Sequence, residues 1–324
     1  MKATQATTYR MLGSRLDDIS RQLEDMRLMG TTNKKLNRPS DNPSAVGPVF
    51  NIRQQLAHVD RYVETMGKSL DTMQATDSHL DHVENIMQQA KEIVTNALNG
   101  ALNEEDRTVL ADSLANLRKE LLATANSSIN GRYLFAGYQE NTVPFAENPA
   151  YDPLLFNADD SSTWPYLYQG DAHATTLEIT PGETIPINLT GSNLFFGTTS
   201  WDPADPTQNA TEPGRYNLFV TLTRAEEAIR ANSSDDMQAG LADLEGAAQQ
   251  NRQLRAQLGN RAARVETAMA HQEETRVDLQ QILSRYEDAD VFETFTAIME
   301  QETALQAALS ITSKVSQLSI LNYL

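Results

Sequence analysis

The sequence predicts a mainly α-helical protein carrying one inserted β domain. Three observations point there. Apolar residues recur at alternating steps of three and four through most of residues 9–124, and again from about 215 to the end. The stretch 131–213 loses that rhythm and holds both tryptophans and nine of the twelve prolines. Helical segments flank it on both sides, so the chain reads as terminal helix, stem, β insertion, stem, terminal helix.

The first helix is set by Tyr9, Leu12, Leu16, Ile19, Leu23 and Met26, a narrow apolar stripe on an otherwise polar surface. Gly30 is its expected stop. The passage LNRPSDNPSAVGP (36–48) follows, with three prolines and a Ser-Asp-Asn cluster between two helices. Arg38 and Asn42 precede prolines and are pushed out of helical geometry. Asn42 can cap a short turn with Pro43 at its first position, and Gly47-Pro48 is expected to break that turn before the long helix begins. The elbow Arg38, Pro39, Ser40, Asp41, Asn42, Pro43 therefore fixes a direction, where a Gly/Ser linker would swing.

A second stripe runs through Ile52, Leu56, Val59, Val63, Met66, Leu70, Met73 and Leu80, with Asp77 intruding at one seam position. It drifts onward to Val83, Ile86, Ala90, Ile93 and Ala97. Asn99-Gly100 turns the chain and Asn103 caps the next helix, with Asp106 at its third position. Leu110, Leu114, Leu117, Leu121 and Thr124 form the third stripe, and the short turn makes these two helices antiparallel. Inside the insertion, Leu177 and Ile179 alternate against Ile185, Ile187 and Leu189 around Pro181-Gly182, a hairpin pattern whose Pro186 marks an edge. YLYQGD (166–171) reads as a strand and turn, and 201–214 as loop. Helix resumes at Arg215, with Gly259 and the run EDAD (287–290) as expected breaks. The last helix carries Phe295, Ile298, Leu305, Leu309, Ile311, Val315, Leu318 and Leu321. The resulting domains are 1–45 plus 287–324, 46–130 plus 214–286, and 131–213.

The net charge of −18 over 324 residues argues against nucleic acid and against an anionic membrane surface. No cysteine is present, which excludes disulfides and thiolate metal sites. No stretch approaches the ~20 apolar residues of a membrane helix. The opening MKATQATTYRMLGSRLDDIS lacks the apolar core of a cleaved secretory signal, so any export is expected to use another route. No phosphate-cradling loop, nucleophile elbow or zinc-protease motif occurs. His79 and His82, beside Asp77, Asp81 and Glu84, have conceivable metal-ligand spacing, but a solvated charged face is the better reading. No catalytic, cofactor or metal residue is assigned, and no enzyme activity is expected.

Two short runs carry a more specific signal. INGRYLFAGYQENTVPF (129–145) and LNRPSDNP (36–43), with the tail EDADVFETFTAIMEQETALQAALSITSKVSQLSILNYL, resemble the flagellar hook-associated protein 3 family, the hook–filament junction proteins of the flagellin-like group. The run GDAHATTLEITPGETIPINLTGSNLFF is also similar to that family. Asn42 stands where the family commonly has Asp, and Gly47-Pro48 where it usually continues with helix-friendly residues.

The resemblance implies a flagellin-like fold: paired terminal coiled-coil helices forming an inner tube, an antiparallel helical stem and an outer β domain. It implies a structural protein of the extracellular flagellum, a ring joining a hook-side junction protein to flagellin. It further implies type III export without a cleaved signal, a cytoplasmic chaperone on the C-terminal helix, and no nucleic-acid or membrane partner. The subunit interface expected on this basis uses Tyr9, Leu12, Leu16, Ile19, Leu23 and Met26 of the first helix. From the last helix it uses Leu305, Leu309, Ile311, Val315, Leu318 and Leu321. The competing readings are flagellin itself and a type III translocator, the latter needing a long apolar segment that is not present.

Overall fold

A computed structural model describes residues 2–100, 102–202 and 209–321, with the side chains of 2–6, 8 and 316–321 outside the description. Seven α-helices and six short strands occur among the described residues: α1 (Lys2–Thr32), α2 (Pro43–Asn99), α3 (Glu104–Ala125), β1 (Ser128–Ile129), β2 (Arg132–Tyr133), β3 (Phe145–Glu147), β4 (Tyr166–Tyr168), β5 (Thr176–Thr180), β6 (Glu183–Pro186), α4 (Gly191–Phe195), α5 (Leu218–Arg230), α6 (Ser234–Glu287) and α7 (Val291–Leu321). The chain divides into two compact units, one of residues 1–61 and 273–324, the other of 62–272. Mainly helical architecture with a β insertion is therefore the observed class.

Within 62–272, α2 and α6 run antiparallel. Arg255 Nε meets Asp77 Oδ1 at 2.7 Å, Arg252 Nη1 meets Glu84 Oε1 at 2.6 Å, and Lys91 pairs with Glu245. α3 returns from α2 through the Asn103 cap, whose side chain accepts from the Asp106 amide at 2.8 Å. α3 and α5 are also antiparallel: Arg118 Nη1 bonds Glu226 at 2.7 Å, and Arg230 Nη2 bonds Asp112 at 2.6 Å. The α2 seam differs by one residue from the sequence expectation. Thr76 is buried at the seam, its hydroxyl donating to the Thr72 carbonyl at 2.9 Å, while Asp77 lies beside it in the Arg255 ion pair. A carboxylate reaches a cation more cheaply than it enters a core, so the helix turns its threonine inward.

The β region is three separate two-stranded antiparallel sheets, β1–β2, β3–β4 and β5–β6. The expected hairpin is β5–β6, pairing Leu177 with Ile185 around Gly182, which has φ +84°. Sheets this small cannot hold a domain together, and an aromatic cluster does so instead. Phe145 lies 5.3 Å from Phe196 and 5.5 Å from Phe219, and Tyr166 lies 4.8 Å from Phe219. Phe219 belongs to α5, so this cluster is continuous with the helical core.

Four boundaries correct the expectations. α1 passes through Gly30 and ends at Thr32, where Asn33 takes φ +54°. α2 starts at Pro43 and keeps both Gly47 and Pro48 inside it. Ser44 and Pro48 are solvent-exposed, so the one backbone bond Pro48 cannot donate is lost where water can reach. α5 starts at Leu218 rather than Arg215, because Asn217 caps it and accepts from the amides of Phe219 and Val220 at 3.1 Å. α6 passes through Gly259 without a break.

Candidate functional site

The terminal unit is where the sequence placed its function. α1 and α7 pair antiparallel: Arg27 Nη2 meets Glu302 Oε1 at 2.7 Å, Gln301 Nε2 donates to Gln22 Oε1 at 2.8 Å, and the Tyr9 hydroxyl donates to the Val315 carbonyl at 3.4 Å. Gly30 lies close against α7, where an added Cβ would stand 3.1 Å from Ile298 Cδ1. That contact explains a glycine inside a helix better than a stop does.

The expected interface residues divide in two. Leu23 is buried, and Leu12, Leu16, Ile19, Met26, Leu305 and Val315 are half-buried along the α1–α7 seam. Tyr9 lies at the exposed edge, and Leu309 and Ile311 face outward, 53% and 55% exposed. Leu318 and Leu321 fall within α7, with their side chains outside the described residues.

The structure adds residues that sequence reading did not assign to the interface. Phe292, Phe295 and Met299 sit on the side of α7 away from α1, with Phe292 85% and Met299 68% exposed. Their 3–4 spacing was legible, but one list of apolar residues on one helix does not reveal two faces. α7 is thus apolar on two sides, and one of them is left exposed among the described residues. Helices of this kind belong between two neighbours.

The elbow is built from hydrogen bonds. Asp41 accepts from the amides of Asn37 at 2.9 Å and Arg38 at 2.7 Å, and Asn42 Oδ1 accepts from the Ala45 amide at 3.3 Å and the Ser44 hydroxyl at 2.6 Å. Arg38 reaches Asp25 at 3.3 Å, Pro39 and Ser40 form the exposed tip, and Pro43 opens α2. The returning strand of chain is tied to this elbow. The backbones of Lys34 and Asp288 pair as an isolated antiparallel β-bridge, the Lys35 amide donates to the Glu287 carbonyl at 2.7 Å, and the Ala289 amide donates to the Asn33 carbonyl at 3.0 Å.

The family motif beginning at Gly131 also has a physical account. Asn130 and Gly131, at φ +52° and +79°, make the tight turn of β1–β2; Phe135 enters the aromatic core; and Gly137, at φ +69°, leaves no room for a side chain against Asp171. It is a folding signature with no catalytic content. His82 Nε2 stands 3.0 Å from Glu120 Oε1, and burial holds the His79 pKa below its ordinary value, with His82 adding to the effect. Among the described residues no group of three His, Asp or Glu is placed to hold a metal, and no helix is long and apolar enough to cross a membrane.

Comparison with known proteins agrees with this anatomy. Residues 4–140 match the bacterial flagellin N-terminal helical region, and 241–324 the flagellin C-terminal helical region. Flagellar hook-associated protein 3 of Escherichia coli is 29% identical over 306 residues, covering 90% of this chain and 89% of its own. The crystal structure of flagellar hook-associated protein 3 from Legionella pneumophila superposes with a TM-score of 0.59 at 18% identity, covering 73% of this chain and 98% of that one. The flagellar junction protein from the same organism gives 0.54 at 18%, covering 76% and 100%.

Proposed function

The chain belongs to the flagellin-like family, as a structural flagellar component of the hook-associated protein 3 type and not an enzyme, and on that premise we propose that it forms the junction layer between a hook-side junction protein and flagellin. The observation that carries the proposal is α7, apolar on two sides with one side exposed among the described residues. The α1–α7 pair is the inner-tube element (1–45 plus 287–324), the four helices are the stem (46–130 plus 214–286), and 131–213 is the outer domain. Tyr9, Leu309 and Ile311 join Phe292, Phe295 and Met299 in contacts with further copies, while Leu12, Leu16, Ile19, Leu23, Met26, Leu305 and Val315 build the seam that presents them.

Assembly is coupled to folding. Two helices sharing one narrow seam are marginal in isolation. Covering the outer stripe yields ~1.5–3 kcal/mol for each large side chain, which offsets the cost of ordering the ends. The same marginal ends suit export as an unfolded chain through the flagellar type III channel, with a cytoplasmic chaperone holding the C-terminal helix. Flagellin is the second reading, favoured by the matches at both ends. The hook-associated relative extends through the middle as well, where the two flagellin regions do not.

A deletion strain tests the role. Cells lacking this chain should keep hooks, release flagellin into the medium and grow no filament. Filaments of normal length in that strain overturn the junction assignment, and filaments grown from this purified chain alone favour the flagellin reading.

A further inference from the structure

The α1–α7 seam has little of its own to fix its register. Its α7 side is Thr294, Ile298, Gln301, Leu305, Ala308, Thr312 and Val315, a half-polar stripe of 3–4 spacing, and a slip of one heptad, about 10 Å, leaves a stripe of the same spacing in the seam with Ile298 and Leu305 exchanged. The Arg27–Glu302 and Gln22–Gln301 pairs are exposed, and exposed pairs discriminate weakly.

One group at the base of the pair is different. The Glu287 side chain is 3% exposed. Lys34 Nζ donates to its Oε2 at 2.9 Å, and Arg53 Nη2 lies 2.6 Å from Oε1 as an ion pair. Arg53 approaches off the hydrogen-bonding direction, so Oε1 has the charge of a partner without a hydrogen bond. Both cations are about half exposed, at 43% for Lys34 and 57% for Arg53, and can turn to water, whereas the carboxylate cannot. A slipped pairing that separated Glu287 from these cations would leave a buried charge unpaired, a far larger penalty than losing a surface pair.

We propose that Glu287 is a register lock: a positioning residue that admits only the native alignment of the two chain ends, using Lys34 and Arg53 as its keys. The inference concerns the single chain and does not rest on the junction reading, so the strain experiment can fail without touching it.

The chain contains no cysteine, which makes the test clean. Gln22→Cys/Gln301→Cys reports the native register; Gln22→Cys/Thr294→Cys and Gln22→Cys/Ala308→Cys report slips of one heptad in either direction. Each pair is treated with a short thiol-to-thiol cross-linker in the full chain. With Glu287 intact, the native pair should dominate. In Glu287→Leu the ratio of slipped to native product should rise roughly ten-fold or more, since the unpaired-charge penalty is gone. Glu287→Asp, which keeps the charge, should restore the native preference. An unchanged ratio in Glu287→Leu overturns the proposal. If that variant does not fold, Lys34→Gln/Arg53→Gln decides: it leaves position 287 untouched and should raise slipped product, and an unchanged ratio there overturns the proposal equally.

Discussion

Gly246 of α6 has the Tyr216 ring lying directly on it, and a Cβ there would press into the ring atoms. Gly246→Ala should therefore destabilise the 62–272 unit by about 1–3 kcal/mol, read as a lower urea midpoint of Trp164 and Trp201 fluorescence. His79 offers a second residue-level prediction. Its pKa is held below 6.5 by burial first and His82 second, so its stabilising contribution is present above 6.5 and lost as pH falls toward the lowered folded value. The melting temperature of this unit should drop between pH 7.5 and 5.5, and His79→Gln should flatten that slope. At this scale the sequence was partly legible. Asn42 and Asn103 were readable as caps because capping is local chemistry. Glu287 was not, since in EDAD nothing separates the one acid that is buried from the others that are exposed.

At the scale of elements, helix existence followed from spacing, and the errors came at punctuation. Pro48 lies inside α2 because its lost donor costs only one exposed bond while Asn42 and Asp41 define the start upstream. Pro48→Ala restores that donor and should stabilise the terminal unit by about 1–2 kcal/mol, below the ~3 kcal/mol of a mid-helix proline; the readout is the first transition in helical circular dichroism on heating. The strands were harder to read, since segments of two to five residues are too short for a period-of-two pattern. Asn130-Gly131 joins β1 to β2 and is a turn signal by composition, but its two arms carry no alternation to mark a hairpin.

For the whole molecule, the order of parts was legible because thin stripes at both ends need an outside partner. The two faces of α7 were not, since periodicity finds apolar residues without saying which neighbour each one serves. Charge adds a further consequence. Nearly all of the net −18 resides in 62–272, and the terminal unit is close to neutral. Copies brought together through their ends must therefore hold their acidic units near one another. Self-association of the purified chain should strengthen as salt rises from about 0.02 to 0.2 M and screening shortens to about 8 Å, measured by sedimentation; association that weakens with salt would point to contacts made by opposite charges instead.

Hydrogen exchange on the full-length monomer tests the central claim most directly. The account expects amides of α1 and α7 to exchange rapidly while those of α2 between 66 and 97 and of α6 between 237 and 265 stay protected, with α1 and α7 becoming protected on assembly. Protection of α1 and α7 in the monomer equal to that of the stem would contradict it.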